Sequence, residues 1–82
     1  MGHQQAAQEI QQFEQLAEAA YAAMYEAMPA MAKACHEDAC SHLAQAIAAA
    51  ERAGLEKEVA RLAARRDQIS EIYNRQFRGI GY

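Results

Sequence analysis

Apolar side chains recur every three or four residues along almost the whole chain, and this spacing constrains the fold more than any other feature. It runs through residues 6–28, 35–50 and 59–77. Residues three or four apart share one face of a helix with 3.6 residues per turn, so each stretch predicts an amphipathic helix. Alanine, the best helix former, supplies 21 of the 82 residues, and β-branched residues are few. The sequence therefore predicts an all-α protein.

Two residues interrupt the pattern. Pro29 suits the first turn of a helix and disfavours helical geometry at the residue before it, whereas Gly54 is typical of a left-handed helix stop. We therefore predict helices at about 4–27, 29–53 and 55–77. A short aromatic and basic tail, 78–82, completes a single domain over residues 1–82, since domains mostly exceed ~50 residues.

Two architectures fit these helices. One is a compact three-helix bundle. The other is one long helix, 4–53, kinked at Pro29, with the third helix folded back along it. The apolar face stays in phase through the proline, and no Gly, Asn, Asp or Ser lies near Met28 to make a tight turn. An interior proline, however, costs ~3 kcal/mol. In either case a domain this small gains from burying a face against another chain, so we expect self-association, most simply a homodimer.

Composition excludes several classes of protein. The longest apolar runs are too short to span a membrane, the N-terminal residues do not resemble a secretory signal, and two cysteines cannot make a disulfide scaffold. We therefore expect a cytoplasmic protein without a membrane partner. The chain contains no Gly-rich phosphate loop, no G-x-S-x-G and no H-E-x-x-H motif, so we expect neither an enzyme nor a bound cofactor.

The segment CHEDACSH, residues 35–42, concentrates the side chains that bind zinc and copper. In a regular helix Cys35 and His42 lie on one face, whereas His36 and Cys40 lie on another, so the four cannot meet at one ion. His36 and Cys40 could form half of a metal site, completed by a second subunit or by His3. The alternative is structural, with Cys35 as a small core residue.

The third helix and the tail combine arginine with apolar and aromatic residues, the types that anchor protein interfaces. Residues 51–82 carry a balance of +2 against −5 for residues 1–50, and these opposite charges could also simply pair within the bundle. Phe77 and Ile80 could instead cap the bundle's own core. Arg66, on the apolar face, is expected either to pair with a carboxylate such as Glu14 or Glu18 or to extend its charged end to solvent at the edge of the thin bundle. The candidate partner-binding residues are Arg61, Arg65, Ile72, Arg75, Phe77, Arg78, Ile80 and Tyr82.

These features predict a small, non-enzymatic helical module that binds another protein, as an adaptor, a chaperone or an inhibitor. A phage- or plasmid-borne protein acting on host machinery would fit the same description. One alternative is a zinc- or copper-binding helical dimer that uses the cluster 35–42. A second alternative is nucleic-acid binding through the third helix, which is disfavoured because acidic residues interrupt its basic ones.

Overall fold

The computed structural model describes the backbone of residues 2–77 and the side chains of residues 4–77. This part of the chain forms three helices: α1 (Gly2–Glu26), α2 (Pro29–Arg52) and α3 (Glu56–Gln76). The predicted boundaries agree with these within two residues. The protein is all-α, and the packing of its helices is that of a three-helix bundle.

A sharp reversal separates α1 from α2. Met28 has an extended backbone, with φ −64° and ψ 153°, and its carbonyl accepts hydrogen bonds from the amides of Met31 and Ala32. Pro29 is the first residue of α2, where its missing N–H is not needed. α2 then runs back along α1, so that Arg52 near the end of α2 contacts Glu9 near the start of α1. The long helix kinked at Pro29 is therefore wrong, because the extended Met28 lets α2 fold back onto α1.

Gly54 ends α2 as the sequence predicts. Its φ is +72°, and it is the only described residue with a clearly positive φ. The amide of Gly54 donates to the carbonyl of Glu51, and the amide of Leu55 donates to that of Ala50. These two bonds form a Schellman motif, which satisfies carbonyls that the helix end would otherwise leave unpaired. Leu55 also packs against the core, so the turn fixes the direction in which α3 starts.

The core is thin and rich in alanine. α2 contributes only one large buried side chain, Leu43, together with five buried alanines. The space between the helices is filled from both sides, by Ile10 and Met24 of α1 and by Leu62 and Ile69 of α3. The buried alanines are Ala17, Ala32, Ala39, Ala46, Ala49 and Ala50.

The bundle is elongated, with principal extents of 49 × 17 × 12 Å. α1 and α3 each pack along α2, whereas they approach one another mainly through long side chains. Within residues 2–77, no helix carries an apolar stretch long enough to cross a membrane.

The left-handed backbone at Gly54 gives a direct test of this fold. We expect Gly54→Ala to lower the free energy of unfolding by about 1–2 kcal/mol, because a Cβ is disfavoured at positive φ. Nothing lies within 4 Å of the position of that Cβ, so the cost is conformational rather than steric crowding by neighbours. Urea denaturation measures it. Gly54→Asn is the control and should be milder, since asparagine tolerates this backbone. Equal loss in both variants would contradict this account.

Candidate functional site

Two arginines of α3 bind two glutamates of α1. Arg61 donates from Nη1 and Nη2 to the two carboxylate oxygens of Glu14, at 2.7 and 2.8 Å, and from Nε to Glu58 at 2.7 Å. One turn further on, Arg65 donates from Nε and Nη2 to Glu18, at 2.8 and 2.7 Å. Both α1–α3 pairs are bidentate, which is the strongest geometry for an arginine–carboxylate pair. We call these four residues the ion-pair ladder.

Arg65 is surrounded more completely than Arg61. Its guanidinium carbon lies 5.0 Å from the centre of the Tyr21 ring, and its Nη1 donates to Gln68. The hydrogen bond from Arg65 is the main reason that the pKa of Glu18 lies below its ordinary value, although partial burial opposes it. The same carboxylate raises the pKa of Arg65. Both groups therefore stay charged throughout the neutral range.

The ion-pair ladder includes two of the candidate partner-binding residues, Arg61 and Arg65. Arg61 and Arg65 are committed to contacts within the bundle, as the pairing of oppositely charged helices predicts. Arg75 is exposed and pairs with Glu71 one turn earlier, and Ile72 is half-buried. Phe77 packs against the core, with its ring centre 5.1 Å from that of Tyr25. Three further candidates lie outside the described residues: Arg78, Ile80 and Tyr82.

The predicted partners of Arg66 are wrong. Glu14 and Glu18 bind Arg61 and Arg65 instead, and among the described residues Arg66 has no ion pair. Arg66 is half-buried. The apolar spacing placed Arg66 on the core-facing side of the helix correctly, but the register between α1 and α3 brings the flanking arginines to the carboxylates.

The four metal-ligand candidates separate into two pairs. His36 and Cys40 lie together against α3, where His36 Nε2 is 3.4 Å from Cys40 Sγ. Cys35 packs against the core, and His42 contacts Gln45 beside it on α2. The structure adds Ser70 of α3, whose Oγ lies 3.1 Å from His36 Nε2 and 3.4 Å from Cys40 Sγ. We call His36, Cys40 and Ser70 the Cys–His–Ser cluster.

The described side chains contain no group of three or more His, Cys, Asp or Glu residues positioned to hold a metal ion. His36 and Cys40 supply two ligand atoms, and a complete site would need further ligands from another copy or from residues outside the described side chains, such as His3. Metal binding by this pair stays a prediction.

The outer face of α1 carries no charge from residue 4 to residue 25. Its acidic residues Glu9, Glu14 and Glu18 are all turned towards arginines of the other helices. Six glutamines occupy the exposed positions of the first half: Gln4, Gln5, Gln8, Gln11, Gln12 and Gln15. The other exposed residues are Ala7, Leu16, Ala19, Ala22 and Tyr25. We call this surface the neutral face of α1.

The neutral face was not singled out from the sequence, although its signal is present there. Glutamine occupies the solvent side of α1, whereas α2 and α3 expose charged residues such as Lys33, Glu37 and Asp67. Leu16 lies halfway along the face and at its edge, with 49% of its surface exposed. The face is therefore uncharged and rich in glutamine, with one large apolar residue at its edge.

A second exposed apolar surface lies at the α1–α2 turn. Met28 and Met31 are 75% and 58% exposed, whereas Met24 is buried in the core. The rings of Tyr21 and Tyr25 meet edge to face nearby, and their hydroxyls are 2.9 Å apart. The methionines of residues 24–31 are thus divided between the core and the surface.

Comparison with known proteins adds no assignment. No model of a protein family matches the chain, and no curated protein or solved structure matches it. The features of the structure that bear on function are the ion-pair ladder, the Cys–His–Ser cluster and the neutral face of α1.

The ladder predicts a measurable coupling between α1 and α3. In a double-mutant cycle of Arg61→Ala and Glu14→Ala, we expect a coupling free energy of about 0.5–1 kcal/mol, because the pair is bidentate but half-exposed. Urea denaturation of the four proteins measures it. The cycle of Arg75→Ala and Glu71→Ala, a more exposed pair within one helix, should give less. A coupling no larger than in that control would contradict the importance of the ladder.

The ion pair of Glu18 predicts that the stability of the fold decreases at acid pH. Its pKa is lowered in the folded state from 4.5, so the contribution of its ion pair is present above that value and is lost as the pH falls through the lower, folded pKa. We expect Glu18→Gln to lose less stability than the natural chain between about pH 5 and pH 3. Thermal unfolding followed by circular dichroism measures this. Glu26→Gln, an exposed position outside the described ion pairs, should keep the natural acid dependence.

Proposed function

We propose that this chain is a non-enzymatic protein–protein interaction module that assembles as a homodimer through the neutral face of α1. The observation that carries the proposal is the absence of charge on the exposed side of α1 over residues 4–25.

Charge favours a second copy as the occupant of this face. Each chain has a net charge of −3, so two copies repel one another wherever acidic surfaces meet. On α1 the carboxylates of Glu9, Glu14 and Glu18 are neutralised by arginines of the same chain. Two α1 helices can therefore come together without placing like charges opposite one another.

The chemistry of glutamine supports the same occupant. A glutamine amide both donates and accepts hydrogen bonds, so identical glutamines from two copies can satisfy one another. A two-fold contact brings the same surface of each subunit together and requires such self-complementarity. In an antiparallel crossing near the middle of α1, Ala19 of each copy would allow close approach, and Leu16 of each copy would lie at the edge of the contact.

The thin core supplies a thermodynamic reason to dimerise. Domains of this size bury a smaller fraction of their surface on folding than larger domains do, and association is a common source of additional stability. α1 is about 37 Å long, at 1.5 Å per residue, so one of its faces supports an interface at the small end of the stable range. We therefore expect a dissociation constant of about 1 μM.

A dimer built on α1 leaves α3 free for a different protein. The candidate partner-binding residues of α3 and the tail would then be presented twice, which raises avidity for a partner that has two matching sites. The exposed Arg75 and the half-buried Ile72 remain on that surface. Arg61 and Arg65 would contribute to it only through the ladder that holds α3 against α1.

Leu16, halfway along the face, gives the test. We expect Leu16→Glu to shift sedimentation equilibrium from dimer to monomer, because it removes an apolar contact and adds a charge of the same sign to each copy beside the contact. Met31→Glu is the matched control, since Met31 is similarly exposed but lies on α2. This variant should remain dimeric, and circular dichroism should confirm that both variants keep their helices.

Two results would overturn the proposed dimer. One is a natural chain that stays monomeric at concentrations near 100 μM, which is about a hundred times the expected dissociation constant. The other is loss of the dimer in Met31→Glu but not in Leu16→Glu, which would place the contact at the α1–α2 turn.

A further inference from the structure

The Cys–His–Ser cluster joins α2 to α3 through three side chains that can exchange a proton. His36 Nε2, Cys40 Sγ and Ser70 Oγ are mutually within 3.1–3.4 Å. All three residues are partly exposed to solvent. Neither Cys40 nor His36 lies on the neutral face of α1, and the cluster would stay accessible in the proposed dimer.

The imidazole is held in a fixed position. The ring of Tyr73 stacks on His36 with centres 4.3 Å apart and planes 9° from parallel. Burial lowers the pKa of His36, with an opposing contribution from Glu37. A neutral imidazole beside a thiol is the arrangement that activates cysteine nucleophiles.

Ser70 completes the surroundings of the sulfur. Once Cys40 has transferred its proton to His36, the Nε2–H of His36 and the hydroxyl of Ser70 are both placed to donate to the thiolate. Hydrogen bonds to a charged group favour the charged form. Cys35 has no such neighbours, because it packs against the core on a different side of α2.

We propose that Cys40 is a thiol-exchange site that forms a mixed disulfide with a small-molecule disulfide of the glutathione type, with His36 as its base. His36 Nε2 accepts the proton of Cys40, and the thiolate attacks one sulfur of the small disulfide. A new S–S bond forms as the S–S bond of the small disulfide breaks. The departing thiolate takes the proton from His36, so one thiol of the protein is oxidised and one small thiol is released.

The two cysteines of the chain allow an internal comparison. Cys35→Ser leaves Cys40 as the only thiol, and Cys40→Ser leaves Cys35. Each variant is treated with oxidised glutathione near neutral pH, and mass spectrometry follows formation of the mixed disulfide. We expect Cys40 to react at least about tenfold faster than Cys35 in the folded protein. In 8 M urea, roughly the usual denaturing concentration, the two rates should agree.

His36→Phe in the Cys35→Ser background separates base catalysis from exposure. Phenylalanine can keep the stacking on Tyr73 but has no nitrogen to accept the proton, so the rate of Cys40 should fall about tenfold. Circular dichroism checks folding, and His36→Gln serves if the Phe variant does not fold.

Equal rates for Cys40 and Cys35 in the folded protein would overturn the proposal. An unchanged rate in a folded His36 variant would also overturn it, because Cys40 would then react through exposure alone. Neither result depends on whether the chain dimerises through α1.

Discussion

The alanine face of α2 determines how the other helices are arranged. Five buried alanines on α2 remove side-chain bulk from the middle of the bundle, so α1 and α3 can both lie close to it. Apart from Leu43, the large core residues then come from the outer helices, as Ile10, Met24, Leu62 and Ile69. α1 and α3 meet mainly through long side chains, and the ion-pair ladder is what connects them along the middle of the bundle.

This arrangement explains why the surfaces of the helices differ. Three acidic residues of α1, Glu9, Glu14 and Glu18, pair with arginines of α2 and α3, which leaves glutamine, alanine and Leu16 on its outer side between residues 4 and 25. Where α2 packs against α3, the side chains of His36 and Cys40 contact Ser70. The ladder and the cluster are therefore two different ways of joining α3 to its neighbours, one through charge and one through proton-sharing side chains.

Much of the fold could be predicted from residue patterns, because the signals were local. Pro29 and Gly54 marked the helix ends to within two residues, and helical spacing correctly separated Cys35 from His36 and Cys40. The sequence did not distinguish the bundle from a long kinked helix, because the apolar face keeps its phase through Pro29. That choice depended on packing between helices, which periodicity within one helix does not report.

The candidate sites were harder to predict for the same reason. Sequence spacing placed Arg66 on the inner side of α3. Which arginines reach Glu14 and Glu18, however, depends on how far α3 is displaced along α1. The spacing within one helix does not specify this displacement. Ser70 could not be assigned to the cluster because it lies 30 residues from Cys40 and on a different helix. The neutral face of α1 could have been predicted from the sequence, because glutamine recurs at the positions opposite the apolar face.

The short turns of the bundle also bear on how it folds. Only residues 27–28 and 53–55 connect the helices, so most contacts join parts of the chain that are close in sequence. Such low contact order is associated with folding in milliseconds or less. The ion pairs between α1 and α3 join residues 47 apart, the longest-range hydrogen bonds described in the bundle. Closing the longest loop costs the most entropy. We therefore expect the contacts between α1 and α3 to form last, after each of these helices has packed against α2.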